Sequence, residues 1–131
     1  MGFIALPTSR NTRGYDILIL DPTTNVGKGI QVKCTDRRDF PICSTYVDGF
    51  EEKLKETIVC DFVLVDISNT DLPVFYVMPK GDMLKLMENL IKGYIAKSRR
   101  ELSKEKQQLW TIKLSRFEKE LESYKNNWNG L

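Results

Sequence analysis

Asp16 is the residue in this chain whose surroundings most need explaining. It lies in the run Tyr15–Leu20, whose other members are Tyr15, Ile17, Leu18, Ile19 and Leu20. A carboxylate in such a run costs desolvation energy unless a partner balances it or it sits near the end of a sheet. A second strand-like segment, Lys28–Thr35, follows after a turn. Period two places Ile30, Val32 and Cys34 on one of its faces and Gln31, Lys33 and Thr35 on the other. An amide, a lysine and a hydroxyl therefore share a face one hairpin away from Asp16, where acid and base could meet across the ladder. The plainer expectation is a strand-end Asp16 paired with Arg10 or Lys33, beside an ordinary half-exposed Gln31-Val32-Lys33 strand.

Other chemistries are excluded by composition. The chain contains no histidine, which removes Ser-His-Asp triads, Cys-His pairs and histidine-ligated zinc or haem. Cys34, Cys43 and Cys60 are odd in number, widely spaced and without a CxxC pair. That argues against a disulfide framework or a zinc knuckle and predicts three buried free thiols. Lys and Arg total 20 against 18 Asp and Glu, so net charge does not announce a nucleic-acid partner and only its distribution can. At 131 residues with 41% hydrophobic content, the chain suits one domain with a real core. No apolar run is long enough to span a bilayer and no signal-peptide region follows Met1, so a cytoplasmic protein without membrane contact is expected.

The elements that must position these residues divide at about residue 79. Residues 1–79 read mostly as strands: Phe3–Leu6, Tyr15–Leu20, Lys28–Thr35, Pro41–Val47, Ile58–Ile67 and Val74–Met78. Asp21-Pro22 and the turn-rich residues after it join the second and third as an antiparallel hairpin. Asp48–Thr57 reads as a short surface helix. Residues 80–131 read mostly as helix. Asp82 is expected to cap a helix carrying the stripe Met83, Leu84, Met87, Leu90, Ile91, Tyr94 and Ile95. Leu109–Leu114 alternates as an extended segment, and Ser115 with Glu118 has capping-box spacing for a last helix. The expected fold is α/β or α+β: a mixed central sheet of about five strands with helices packed on it. Trp110 and Trp128 are expected as core or interface anchors.

Gly14-Tyr15-Asp16, a turn, and then Ile30-Gln31-Val32-Lys33 resemble the PD-(D/E)XK, or restriction-endonuclease-like, nuclease superfamily. In that superfamily one strand supplies an aspartate and the next an acidic-X-lysine triplet, with glutamine replacing the acid in some branches. The resemblance runs from about Phe3 to Met78 and includes the Thr8-Ser9-Arg10-Asn11 approach to the aspartate strand. The chain is also similar to small nuclease-like proteins that close with a tryptophan-bearing segment, as Trp110 and Asn127-Trp128 do here.

The resemblance implies metal-dependent hydrolysis of nucleic acid, DNA ahead of RNA, with Asp16, Gln31 and Lys33 as catalytic residues. Magnesium or manganese would take oxygen ligands from Asp16, the Gln31 amide carbonyl and the Val32 backbone carbonyl, and Lys33 would serve the attacking water. Gln31 brings no charge, which should lower metal affinity. Arg10, Arg13 and Lys28 flank the two strands and are the candidate phosphate contacts, while Arg37 and Arg38 read better as a solvated rim. The cluster Lys97, Arg99, Arg100, Lys104 and Lys106 reads as a salt-bridged solvent face with Glu101 and Glu105. The superfamily usually opens with a glutamate-bearing helix, and here Phe3 opens a strand instead. An uncovered sheet face, and hence a homodimer, is the expectation. The alternative function is a catalytically inactive nucleic-acid-binding or assembly module on the same fold.

Overall fold

The computed structural model describes residues 2–8, 14–69, 71–98 and 106–131. Its elements are β1 (Ile4–Pro7), β2 (Ile17–Asp21), β3 (Val26–Thr35), β4 (Asp39–Thr45), α1 (Phe50–Thr57), β5 (Asp61–Asp66), β6 (Val74–Met78), α2 (Lys80–Lys97), β7 (Gln108–Lys113) and α3 (Leu114–Leu121), closed by two 3-10 turns. This is a mixed α+β fold. A five-stranded sheet runs β1-β2-β3-β5-β6, and β4 pairs with β7 in a second, two-stranded sheet. β1, β2 and β3 form an antiparallel meander, β5 lies parallel to β3, and β6 returns antiparallel. The crossover that makes β3 and β5 parallel carries β4 and α1, which places those elements in the covering layer.

One face of the large sheet holds the core. Phe62, Leu64, Tyr76 and Met78 alternate inward and cluster with Met83, Met87 and Ile91 of α2, which sit one helical turn apart. All three α2 residues have no exposure, and each contributes about 1.5–3 kcal/mol by burial. Phe40, Trp110 and Ile112 of the small sheet, with Leu54 of α1 and Leu121 of α3, complete the cluster. The indole N–H of buried Trp110 donates to Thr45 Oγ1 at 2.8 Å, so its polar edge is satisfied. The opposite face carries Ile17, Ile19, Ile30, Val32, Val63 and Val65, and Trp128 with Leu131 closes one side of it. Trp128 stacks obliquely on Phe75, with ring centroids 5.6 Å apart. The lining of this shallow apolar trough of about 390 Å³ includes nothing from α1, α2 or α3.

Several local expectations change. Asp82 does not cap α2: the helix starts at Lys80 after Pro79, and the Asp82 carboxylate accepts the Tyr124 hydroxyl at 2.9 Å. Its place in the first turn still suits the helix dipole. The Ser115–Glu118 capping box is not formed either, because α3 follows β7 directly at Leu114, and Lys113 makes no side-chain cap. Cys43 and Cys60 are buried as expected, but Cys34 is exposed, since β3 runs on beyond its pairing with β2. Arg38 is no solvated rim residue. It pairs with buried Asp66 at 3.6 Å and with Glu118 at 3.4 Å, and its carbonyl accepts the Leu114 N–H. It thereby ties β5, the start of α3 and the small sheet together. Among the described residues, no helix is long and apolar enough to cross a membrane.

Candidate functional site

β3 is the spine of the site. Gln31 and Lys33 are half-buried and share its core-side face. Lys33 lies close enough to Cys43 of β4 for its charge to act on that thiol. β2 enters alongside through an irregular start. Gly14 holds a φ of +95°, a conformation that favours glycine, and a Cβ there would meet Val59 at 2.9 Å. Gly29 of β3 is equally constrained, because a Cβ would fall 2.8 Å from the Tyr15 ring. The Tyr15 ring therefore lies directly against β3, and β2 begins at Ile17 rather than at Tyr15.

That irregular start aims Asp16. Its N–H donates to the Ile30 carbonyl at 2.7 Å, although Ile17 already stands opposite Ile30. Two residues of one strand against one of the other is the arrangement of a β-bulge, which redirects a side chain. The Thr8 N–H and hydroxyl donate to the Asp16 carbonyl at 3.0 and 3.1 Å and hold the segment from the other side. The exposed carboxylate turns onto β3, where Oδ2 accepts the Val32 N–H at 2.8 Å. Among the described residues no ion pair joins Asp16 to Lys33, so the acid meets the backbone between Gln31 and Lys33 rather than the base itself.

The backbone N–H and C=O of one strand residue point to the same edge. The Val32 carbonyl therefore faces the edge on which Asp16 sits, and no β2 residue pairs with Val32. The Asp16 carboxylate and the Val32 peptide carbonyl share this edge, and the neighbouring residue on β3, Gln31, carries an amide carbonyl. Such a set of hard oxygens fits magnesium or manganese and not a thiolate-seeking metal. Among the described residues no cluster of three or more acidic or sulfur side chains could hold a metal, so any cation here depends on neutral oxygens.

Lys28 is also placed. Its ammonium lies 2.6 Å from Asp61 Oδ2, a charge contact without the direction of a hydrogen bond, and its side chain stays 46% exposed. Asp61 is buried and also accepts the Lys80 N–H at 2.8 Å, where α2 begins. Arg10 and Arg13, and the Arg99, Arg100 and Lys104 part of the C-terminal basic cluster, lie outside the described residues. Cys60, expected from the sequence only as a buried free thiol, also has a positioning part: its thiol donates to the Gly14 carbonyl at 2.9 Å and pins the loop before Asp16. Burial, then the charge of Asp61, pushes that thiol's pKa up, and Asp16 adds to the shift. The signal for Asp61 was available, since a carboxylate in Cys60–Val65 raises the same desolvation question as Asp16.

No family model, curated protein or solved structure matches this chain. The functional reading rests on the site itself.

Proposed function

We propose that the chain is a metal-dependent nuclease of restriction-endonuclease-like type, hydrolysing phosphodiester bonds of nucleic acid, with DNA the preferred substrate. One observation carries the reading: the Asp16 carboxylate is bonded to the N–H of Val32, the residue between Gln31 and Lys33. That bond supports the reading because it brings the aspartate onto the β3 segment whose sequence is Gln31-Val32-Lys33, the order the superfamily resemblance implies. Asp16 keeps a second oxygen without a partner among the described residues, and it is the site's charged ligand. Gln31 and the Val32 carbonyl add neutral oxygens. A bound magnesium or manganese would supply charge neutralisation at the phosphate and a more acidic water. The Lys33 ammonium stabilises charge developing on the phosphate and orients the attacking water. Lys28, with Arg10 and Arg13 preceding the aspartate strand, would contact the phosphate backbone.

A second copy of the chain is the proposed cover for the apolar trough. Among the described residues no charged side chain lines it, so two such faces can meet without like-charge repulsion.

Plasmid and oligonucleotide substrates, each with magnesium and with manganese, test the catalytic reading. Cleavage by the wild type is expected to fall by about a hundredfold or more in Asp16→Ala and in Lys33→Ala. Gln31→Glu restores a second negative charge and should keep or raise activity while tightening metal binding. A wild type that binds no divalent cation and cuts no substrate, with Gln31→Glu changing neither, removes the enzyme. The nucleic-acid-binding module then stands in its place.

A further inference from the structure

β7 offers an open strand edge. Among the described residues it pairs with β4 on one side only. The Leu114 N–H donates to the Arg38 carbonyl at 3.0 Å, which fixes the phase of the ladder. Backbone groups of Ile112 and Trp110 therefore turn toward β4, and those of Leu109 and Thr111 turn outward. Beyond that edge runs a groove of about 870 Å³, walled by one stripe of α2 and by α3. Consecutive β7 residues, Gln108 to Thr111, line it, as expected where a groove follows a strand's edge rather than one of its faces. Its apolar lining comes from Leu86, Leu90, Leu109 and Phe117. Lys97, Lys113 and Arg116 stand around it, and among the described residues Glu120 is the one carboxylate that lines it. Among the described residues none of these three cations is ion-paired.

We propose that this groove binds an extended, acidic segment of a partner protein as an added strand on β7. Main-chain bonds to Leu109 and Thr111 would supply affinity. Aliphatic side chains on the leucine floor and carboxylates beside Lys97, Lys113 and Arg116 would supply specificity. A second copy of this chain fits poorly, because pairing β7 with itself would set these cations against one another. Single-stranded nucleic acid also fits less well. Trp110 is buried, with the Tyr94 ring packed against it at 5.3 Å, so the indole offers no free face for base stacking.

The test is an amide-resolved NMR titration of the full chain. The probes are a short peptide alternating valine with glutamate, its valine–lysine counterpart, and a short oligothymidylate. The acidic peptide is expected to shift the Leu109, Thr111 and Lys113 amides and to bind at least about tenfold tighter than the basic one. Thr111→Pro, which removes an outward N–H without touching the β4 ladder, and the charge reversal Lys113→Glu with Arg116→Glu should each cost about tenfold. Should Thr111→Pro fail to fold, the charge reversal decides alone. Equal binding of the two peptides, undiminished binding by the charge reversal, or tighter binding of the oligonucleotide at these amides overturns the proposal.

Discussion

Asp16 and Asp61 flank β3 from its two sides, and each accepts a backbone N–H at 2.8 Å. From there they part. Asp61 is 5% exposed, holds the start of α2 through Lys80, and has the Lys28 ammonium on its other oxygen. Asp16 is exposed, is bent onto Val32 by a bulge, and has a second oxygen without a partner among the described residues. A carboxylate in an apolar run therefore has two solutions. One engages both oxygens, through the Lys80 N–H and the Lys28 charge, and contributes stability. The other leaves coordination capacity unused by the fold, which is what a ligand-binding group requires.

The comparison predicts opposite phenotypes. The largest effect is on activity: Asp16→Ala should lose about a hundredfold or more in cleavage while its unfolding free energy changes by less than about 1 kcal/mol, since one exposed bond is lost. Asp61→Ala should lose about 3 kcal/mol of stability, because a buried carboxylate that pairs and caps is removed. Chemical denaturation beside a cleavage assay separates the two. If Asp16→Ala were the unstable variant and Asp61→Ala the inactive one, the roles would be reversed.

Lys28 sharpens the same contrast. Lys28→Ala should lower stability by about 1 kcal/mol, and the slope of nucleic-acid affinity against salt should fall by about one counterion. A stability loss with an unchanged slope would assign Lys28 to Asp61 alone.

Much of the scaffold was legible because its signals are periodic. The alternation in β3 and the stripe of α2 leave little choice of face, and the five-stranded sheet follows from the strand-and-turn pattern. Two things were not legible. Asp82 and Ser115 look like caps, but Pro79 and the direct passage from β7 into α3 decide where the helices start. The bulge at Asp16 depends on Tyr15 lying against Gly29 and on Cys60 holding Gly14, contacts between segments far apart in sequence. The strand pattern implied that an acid and a lysine share a neighbourhood. It held no information on whether the acid would meet the lysine or the peptide between Gln31 and Lys33.

Smaller effects fall on the cysteines, which differ by position relative to the site. Burial pushes the Cys43 thiol from an ordinary value near 9 up to about 11, against the opposing charge of Lys33. The folded state thus keeps a proton that the unfolded chain loses first. The resulting stabilisation is complete below about pH 9 and declines as pH rises toward about 11. Denaturation across that range should show the decline, and Cys43→Ala should flatten it. Alkylation mapped by mass spectrometry should modify exposed Cys34 first, with Cys43 and Cys60 protected until unfolding.

Asp16, together with the β3 oxygens of Gln31 and Val32, is the proposed seat of a divalent cation. Manganese titration followed through paramagnetic broadening of backbone amides tests it most directly. Broadening should begin at Asp16, Gln31, Val32 and Lys33, occur at lower manganese in Gln31→Glu, and vanish in Asp16→Ala. Broadening that starts elsewhere, or that persists unchanged in Asp16→Ala, would contradict the account.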